Sequence, residues 1–324
     1  MTATTNGEPY LGKQPKLIQI SNSEIGTWKE CRRKWWLTAY RGLMPKERSM
    51  VGPLPLGTRV HAACEAFYAH GEDMMQTYSD LLDADRILFE ETMDANDPDM
   101  VKKFNSEADL GRIMLEGYLQ WVEEEGLDAD VEVVASEQII SYFPEEFEGR
   151  VELRGKLDLL VRDRLSGFFK ALDLKTAISF SSYEKMYLLM EQLRMYALLL
   201  TRSGGPVVID GGIYRMLKKV KRTAKAVPPF YQQMNVPVSA KVLESFEERT
   251  LGTVRDMLDT RDRLDTGESH LRIAYPSPSD SCSWKCPFVH GCSMFDDGSN
   301  VEEWLADFFE PGDTNARYEE SKKV

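Results

Sequence analysis

Two aspartates and a lysine lie in neighbouring predicted strands, where their side chains could bind a divalent cation and cleave a phosphodiester. Asp158 belongs to the stretch 154–162, and Asp173 and Lys175 belong to the stretch 168–176. Apolar residues recur at every second position of the first stretch, which is typical of a β-strand. The second stretch is similar. We therefore expect two adjacent strands that present these three side chains together.

The turn between the two stretches sets their register. Residues 163–167 have the composition of a tight hairpin turn. If Asp163 pairs with Phe168, Asp158 lies directly opposite Asp173. Carboxylates about 5 Å apart across a ladder repel each other, so a bound Mg²⁺ or Mn²⁺ would explain the pair. The alternative is an exposed hairpin that carries ordinary surface charges.

A lysine and a helix add to this patch. Lys175 shares a face with Asp173 and could lower the pKa of a metal-bound water or stabilise charge on a phosphoryl group. Residues 181–201 read as a helix followed by glycines, and Gln192 and Tyr196 lie four residues apart on one face of it. Such a pair alone is more often a satisfied polar interface.

Four cysteines form a second candidate site. Cys282, Cys286 and Cys292 cluster near the C-terminus, and Cys31 lies far upstream. A proline follows Cys286, as in many iron–sulfur proteins, whereas four thiolates also suit structural zinc. No signal-peptide pattern or membrane-length apolar run is found, so we expect a reducing cytoplasm and no disulfides. Cys64 lies in an apolar helical stretch and is predicted to be a core thiol.

The order of these motifs resembles that of the RecB and AddB recombination nucleases of the PD-(D/E)XK superfamily, and of the CRISPR-associated exonuclease family four. The resemblance rests on the motif Gly57-x-x-x-His61, then Asp158, the motif Asp173-x-Lys175, the motif Gln192-x-x-x-Tyr196, and the four cysteines. It implies that His61, Asp158, Asp173 and the Leu174 carbonyl bind the metal. It also implies a 4Fe–4S cluster on Cys31, Cys282, Cys286 and Cys292, although the first two clustered cysteines are one residue further apart than in that family.

These assignments predict an α/β fold with a central mixed β-sheet flanked by helices, a restriction-endonuclease-like core. The iron–sulfur staple would join the N- and C-terminal segments and make residues 1–324 a single unit. The predicted subdivisions are a helical segment or cap at 58–126, the nuclease core at 130–217, the cysteine cluster at 270–295 and an acidic tail at 296–324. Further expected elements are strands at 131–140 and 207–217, the latter interrupted by two glycines, and a long helix at 239–264.

Charge gives a mixed indication about nucleic acid. The net charge of −13 disfavours general phosphate binding. Local basic clusters are nevertheless present, and beside aromatic residues they suit a single-strand channel. A solvated basic loop and a buried tryptophan pair, Trp35 and Trp36, are the alternative. The candidate nucleic-acid contacts are Arg32, Arg33, Lys218, Lys219, Lys221 and Arg222.

The expected function is a Mg²⁺- or Mn²⁺-dependent DNA exonuclease in recombination, repair or replication, of bacterial or phage origin. The resemblance favours single-stranded or end-resected DNA and a 5′ to 3′ direction. Lys175 would orient the attacking water, and Gln192 and Tyr196 would hold the DNA strand or Lys175. Glu137 is a weaker candidate beside the metal. Two alternatives are a DNA-end-binding partner in recombination or CRISPR adaptation and a zinc-stapled structural protein. The chain has no phosphate-binding loop and hence no helicase motifs, which favours a stand-alone nuclease or a subunit with a recombination or helicase partner.

Overall fold

The structure is a computed structural model that describes residues 17–47, 49–204, 208–313 and 316. The strands are β1 (Ile18–Ser21), β2 (Leu43–Pro45), β3 (Val131–Ser136), β4 (Ile139–Tyr142), β5 (Val151–Lys156), β6 (Leu159–Asp163), β7 (Phe169–Ala177), β8 (Ile209–Lys218), β9 (Tyr231–Pro237) and β10 (Phe309–Pro311). The α-helices are α1 (Asn22–Glu30), α2 (Arg32–Trp35), α3 (Pro53–His70), α4 (Met74–Glu90), α5 (Pro98–Glu124), α6 (Ser181–Met186), α7 (Gln192–Arg202), α8 (Ala240–Asp265), α9 (His270–Ile273), α10 (Cys282–Lys285), α11 (Met294–Asp297) and α12 (Val301–Phe308). A π-helix, Trp36–Tyr40, continues α2.

A five-stranded mixed sheet in the order β3-β6-β7-β8-β9 forms the centre, as expected for an α/β fold. β7 and β8 run parallel, and the other neighbours are antiparallel. The predicted register of the β6–β7 hairpin is confirmed, because the Asp163 N–H donates to the Phe168 carbonyl over 2.9 Å and Leu159 pairs with Leu172. Gly167 closes the turn at a φ of +73°, which favours glycine.

The prediction of one strand through residues 154–162 is wrong. β5 ends at Lys156 and β6 begins at Leu159, and β5 belongs to a separate three-stranded sheet in the order β1-β5-β4. The stretch 131–140 is divided in the same way into β3 and β4. The physical reason is a shared bend: Glu137 adopts a φ of +49°, and its N–H bonds to the Asp158 carbonyl. Asp158 therefore lies at a bend between two sheets and belongs to neither of the flanking strands.

Helices cover both faces of the five-stranded sheet. On one face the helices α3, α4 and α5 pack an apolar core against β6, β7 and β8, and Cys64 is fully buried there, as predicted. On the other face α7 and α8 pack against β7, β8 and β9. α3 begins at Pro53, before the predicted start of the helical segment at residue 58, because proline at a helix start lacks only an N–H that the first turn leaves unpaired.

Two further expectations need correction. The stretch 181–201 forms two helices, α6 and α7, separated by a turn in which the Leu189 N–H donates to the Met186 carbonyl. No glycine or proline marks this break, so periodicity could not reveal it. The glycines Gly211 and Gly212 do not interrupt β8. A Cβ on Gly212 would lie 2.9 Å from the Leu193 side chain, so its absence lets α7 approach the strand closely.

The two ends of the described chain meet. β2 pairs with β10, and the rings of Phe288 and Phe309 stack at 4.5 Å. Part of the expected acidic tail is thus ordered as α12 and β10. The remainder of that tail after 313, apart from 316, lies outside the described residues, as do residues 1–16 and the predicted strand start at 207. No helix in the described ranges has the length and apolar character needed to cross a bilayer.

Candidate active site

A cavity of about 870 Å³ opens between α3, the bend at Asp158 and the start of α7. It brings together six residues predicted for catalysis or metal binding, which are His61, Asp158, Asp173, Lys175, Gln192 and Tyr196, and the weaker candidates Glu137 and Lys219 also line it. The six come from one strand, a bend and two helices, so tertiary folding assembles a patch that the sequence presents in four pieces.

Asp158 occupies the fork where β6 separates from β7. The ladder between these strands ends at the Leu159–Leu172 pair, and the next free N–H of β7, that of Leu174, donates to Asp158 Oδ2 over 2.9 Å. His61 Nδ1 lies 3.5 Å from the same oxygen. Burial raises the pKa of Asp158, but the hydrogen bond and charge of His61 outweigh it, so the pKa lies below its usual range. The same pairing raises the pKa of His61 despite its burial.

Asp173 is the most deeply buried carboxylate of the cavity, with 1% of the residue exposed. Gln192 Nε2 donates to its Oδ1 over 2.7 Å. Lys175 Nζ lies 2.7 Å from Oδ2 as an ion-pair partner, yet Oδ2 accepts no hydrogen bond of good geometry from the described residues. Burial raises the pKa of Asp173 to about 6; Lys175 lowers it in part and the nearby Asp158 adds to the rise.

Gln192, the first residue of α7, links the cluster. Its Oε1 accepts from Lys175 Nζ over 2.7 Å, and its Nε2 donates to both Asp173 and the Tyr196 hydroxyl. The Tyr196 hydroxyl in turn donates to the Lys156 carbonyl over 2.8 Å. Burial lowers the pKa of Lys175, but the neighbouring carboxylates outweigh it, so the pKa is raised and the side chain stays an ammonium.

A second group of charges lines the wall next to His61. Glu137 and Lys156 form an ion pair, and Glu65 lies four residues after His61 on α3. Burial raises the pKa of both Glu137 and Glu65. Glu137 was a weak sequence candidate. Glu65 was missed, although its i+4 spacing from His61 was a usable signal.

Comparison with known proteins identifies the family. Residues 19–293 match the model of the PD-(D/E)XK nuclease superfamily. The chain belongs to the PD-(D/E)XK nuclease superfamily. It is also similar to a crystal structure of a "Putative exonuclease" from Eubacterium rectale, with 13% identity over 88% of this chain and 94% of that chain and a TM-score of 0.46. A second similar structure is SSO0001, with 13% identity over 75% and 78% of the two chains and a TM-score of 0.28. None of the curated proteins matches this chain.

The donor set of this PD-(D/E)XK chain fits a hard divalent cation. Within the described ranges, no three His, Cys, Asp or Glu side chains already converge as a metal site. The chemistry nevertheless suits Mg²⁺ or Mn²⁺, because two carboxylates and an imidazole line one cavity. Asp173 is deeply buried beside Asp158, and its Oδ2 has the Lys175 ion pair but no hydrogen bond of good geometry, so a cation would add compensation for two neighbouring carboxylates.

The four candidate cluster cysteines of this PD-(D/E)XK chain lie at the end of α1 (Cys31) and in the C-terminal segment, and in the described ranges no three of them form a ready metal site. Burial raises the pKa of the Cys286 thiol, and the charges of Cys31 and Cys282 add to the rise. Arg33 donates to the Cys292 carbonyl over 2.8 Å and lies 3.6 Å from its Sγ. All four thiols are free of disulfides. Contacts of Arg33 with Cys292, and of Glu30 with Ser281 and Lys285, place the C-terminal segment against the end of α1.

The predicted nucleic-acid contacts are dispersed. Lys219 lines the cavity, and its Nζ donates to the Pro53 carbonyl over 2.9 Å. Lys218, Lys221 and Arg222 do not line it. They contact the Val227 carbonyl, Asp109 and the Tyr231 hydroxyl, respectively.

The basic residues Arg32 and Arg33, which follow Cys31, do not line the cavity. Arg32 packs over the rings of Trp28 and Tyr275. Arg33 is 2% exposed and pairs with Asp296, so its guanidinium is withdrawn from the surface. Trp35 and Trp36 are buried, which agrees with the core alternative for that pair.

Proposed function

We propose that this chain is a Mg²⁺- or Mn²⁺-dependent deoxyribonuclease that removes nucleotides from DNA ends, acting on single strands in the 5′ to 3′ direction. The observation that carries the proposal is the convergence of Asp158, Asp173, Lys175 and His61 in one cavity of a PD-(D/E)XK chain. Direction and pathway rest on the resemblance to RecB, AddB and the CRISPR-associated exonuclease family four.

The metal would be held by His61, Asp158, Asp173 and the Leu174 carbonyl. The N–H and C=O of one strand residue point to the same side of the strand, and the Leu174 N–H points to Asp158. The carbonyl therefore faces the same gap. When bound, the cation supplies Lewis acidity toward the phosphoryl group and lowers the pKa of a water.

Lys175 acts as a fixed positive charge and hydrogen-bond donor. Asp173 and Gln192 hold its ammonium, and its raised pKa excludes a role as a general base near neutral pH. We propose that it orients the attacking water and stabilises the charge that develops on phosphate. Gln192 and Tyr196 are positioning residues, since they bond to Lys175, Asp173 and the Lys156 carbonyl.

The decisive experiment compares wild type with Asp173→Ala on 5′- and 3′-labelled DNA, single-stranded and duplex, with Mg²⁺ or Mn²⁺. We expect wild type to shorten single strands from the 5′ end and the variant to be at least about a thousandfold slower. Asp83→Ala, which removes an exposed carboxylate on α4, is the matched control and should keep full activity.

A different result would favour the alternative function. If wild type leaves every DNA intact with both metals, and wild type and Asp173→Ala bind DNA ends equally, the chain is an end-binding partner in recombination or CRISPR adaptation. Loss of label from the 3′ end only would overturn the proposed direction and leave the nuclease proposal standing.

We also propose that Cys31, Cys282, Cys286 and Cys292 hold a 4Fe–4S cluster, with zinc as the alternative. Its role would be structural, because it would join α1 to the C-terminal segment. Cys286→Ser should lose iron and visible absorbance after anaerobic purification, along with much of the soluble protein. Cys64→Ala, the control outside this set, should keep its iron. Stoichiometric zinc without iron in wild type would contradict the cluster.

A further inference from the structure

Trp284 differs from the other tryptophans in its surroundings. It is 77% exposed and makes no aromatic or cation–π contact with a described residue. The others pack against neighbouring groups, Trp28, Trp35 and Trp36 within the main core, Trp121 against Tyr231, and Trp304 against Phe309. A single exposed apolar side chain is common on protein surfaces, so the position of this ring decides its meaning.

The exposed ring lies in the candidate active site. Trp284 and Lys285 line the same cavity as Asp158 and Asp173. Their helix, α10, is tied to α1 because Lys285 Nζ lies 3.1 Å from Glu30 Oε1. The Ser281 hydroxyl donates to that same oxygen over 3.2 Å. The backbone under the ring is thus anchored, while the ring itself faces the cavity.

The cavity is more cationic than the chain as a whole. Five cationic residues line it, against four acidic ones, in a chain of net charge −13. The cationic residues are Arg154, Lys156, Lys175, Lys219 and Lys285, and the acidic ones are Glu65, Glu137, Asp158 and Asp173. Cations for phosphates beside an exposed aromatic ring for a base form the usual combination for binding single-stranded nucleic acid.

We propose that Trp284 is a stacking platform for an unpaired nucleobase and that it makes the cavity select single-stranded DNA. This inference rests on the proposed nuclease function and adds the residue that sets its substrate class. Stacking on Trp284 needs a free base face, which a single strand offers. In a duplex both faces are covered, and the base must first be unstacked and unpaired. The cysteine segment would then contribute to substrate choice as well as to closure of the chain.

The test measures binding without cleavage. Wild type, Trp284→Ala, Trp284→Phe and the control Phe143→Ala are titrated in EDTA against a labelled oligo-dT and a blunt duplex of equal length. Phe143 is also an exposed aromatic residue, but it does not line the cavity. We expect Trp284→Ala to weaken oligo-dT binding about tenfold to a hundredfold and duplex binding less than about threefold. Trp284→Phe should restore most of the affinity, and Phe143→Ala should change neither.

Iron or zinc content and visible absorbance must be equal in all four proteins, because Trp284 lies between two candidate cluster cysteines. Equal weakening of both DNAs would make Trp284 a DNA contact that does not select single strands, and no weakening would leave it without a role in DNA binding; either result overturns the inference. If wild type cleaves DNA and Trp284→Ala binds DNA as wild type does, the stacking role is contradicted and the nuclease proposal stands. Selective loss of oligo-dT binding in a chain that cleaves nothing supports stacking and rejects the proposed nuclease.

Discussion

Two buried ionic clusters lie on adjacent strands of the central sheet and face opposite sides of it. Asp173 of β7 faces the cavity, and Leu174, the next residue, pairs with Arg215 of β8, whose guanidinium lies under the helices α3 and α5. Both charged residues are 1% exposed. They resemble each other in burial and differ in what surrounds them.

The two clusters differ in how completely the buried charge is hydrogen-bonded. Arg215 donates to Asp128 over 2.6 Å, and it also bonds to the Tyr68 and Tyr118 hydroxyls, Gln233 and the Leu127 carbonyl. Asp173 Oδ2 has an ion pair with Lys175 but accepts no hydrogen bond of good geometry from the described residues, and Asp173 lines the cavity. Burial of charge by itself therefore does not mark an active site. Incomplete compensation beside a cavity is the more informative sign.

The largest effect on stability should come from breaking the complete cluster. Arg215→Ala leaves Asp128 and two tyrosine hydroxyls without their common donor, and we expect a loss of about 3 kcal/mol in the free energy of unfolding. That value is at the low end for buried pairs because Asp128 is partly exposed. Urea unfolding measures it. Arg249→Ala, at an exposed arginine of α8, should change stability little.

The contrast between the clusters also predicts activity. DNA cleavage per folded molecule should survive in Arg215→Ala. A folded Arg215→Ala protein that has lost cleavage would show that both clusters serve the reaction and would remove the distinction.

Substitution in the incompletely bonded cluster should change stability in the opposite direction, because removal of the Asp173 charge should stabilise the chain. The pKa of Asp173 is about 6 in the folded chain and about 3.8 when unfolded. Its contribution to stability is therefore full below pH 3.8 and is lost as pH rises through 6, at a cost of up to about 3 kcal/mol. Asp173→Asn avoids ionisation, so in EDTA it should be about 1–3 kcal/mol more stable than wild type above pH 6, while being inactive.

Urea unfolding between pH 4.5 and 8 checks this difference, which should shrink as pH falls. Asp163→Asn is the control of opposite sign, because hydrogen bonds from Ser166 lower the pKa of the exposed Asp163 to about 2. That substitution should not stabilise the chain. A gain for Asp173→Asn that is the same at every pH would show that ionisation of Asp173 is not its cause.

The smallest predicted effect concerns the residue that joins Asp173 to Lys175. Gln192→Ala should lower kcat about tenfold to a hundredfold with KM nearly unchanged, because it loosens two reacting groups without removing either. Steady-state cleavage of a single-stranded substrate separates the two constants. Gln232→Ala, at a glutamine outside the cavity, is the matched control. A rise in KM alone would assign Gln192 to DNA binding.

The sequence by itself determined the local parts of this protein. The turn at Asp163 and Gly167 set the hairpin register, because turn residues act on their own neighbours. The helix spacing placed Gln192 and Tyr196 on one face, and the order of motifs indicated the superfamily that the family model confirms. These features depend on residues that are close in the chain or on motif order, both of which are visible without coordinates.

Only the tertiary structure decided how these parts meet. The bend at Asp158, the break before Gln192, the pairing of β2 with β10 and the placement of Trp284 in the cavity all depend on contacts between distant segments. No local pattern encodes them, because the free energy that selects them comes from packing two sheets and their helices together. That packing also buried the Asp173 carboxylate with incomplete hydrogen bonding and buried the Arg215 guanidinium, on the next strand, with hydrogen-bond partners around it.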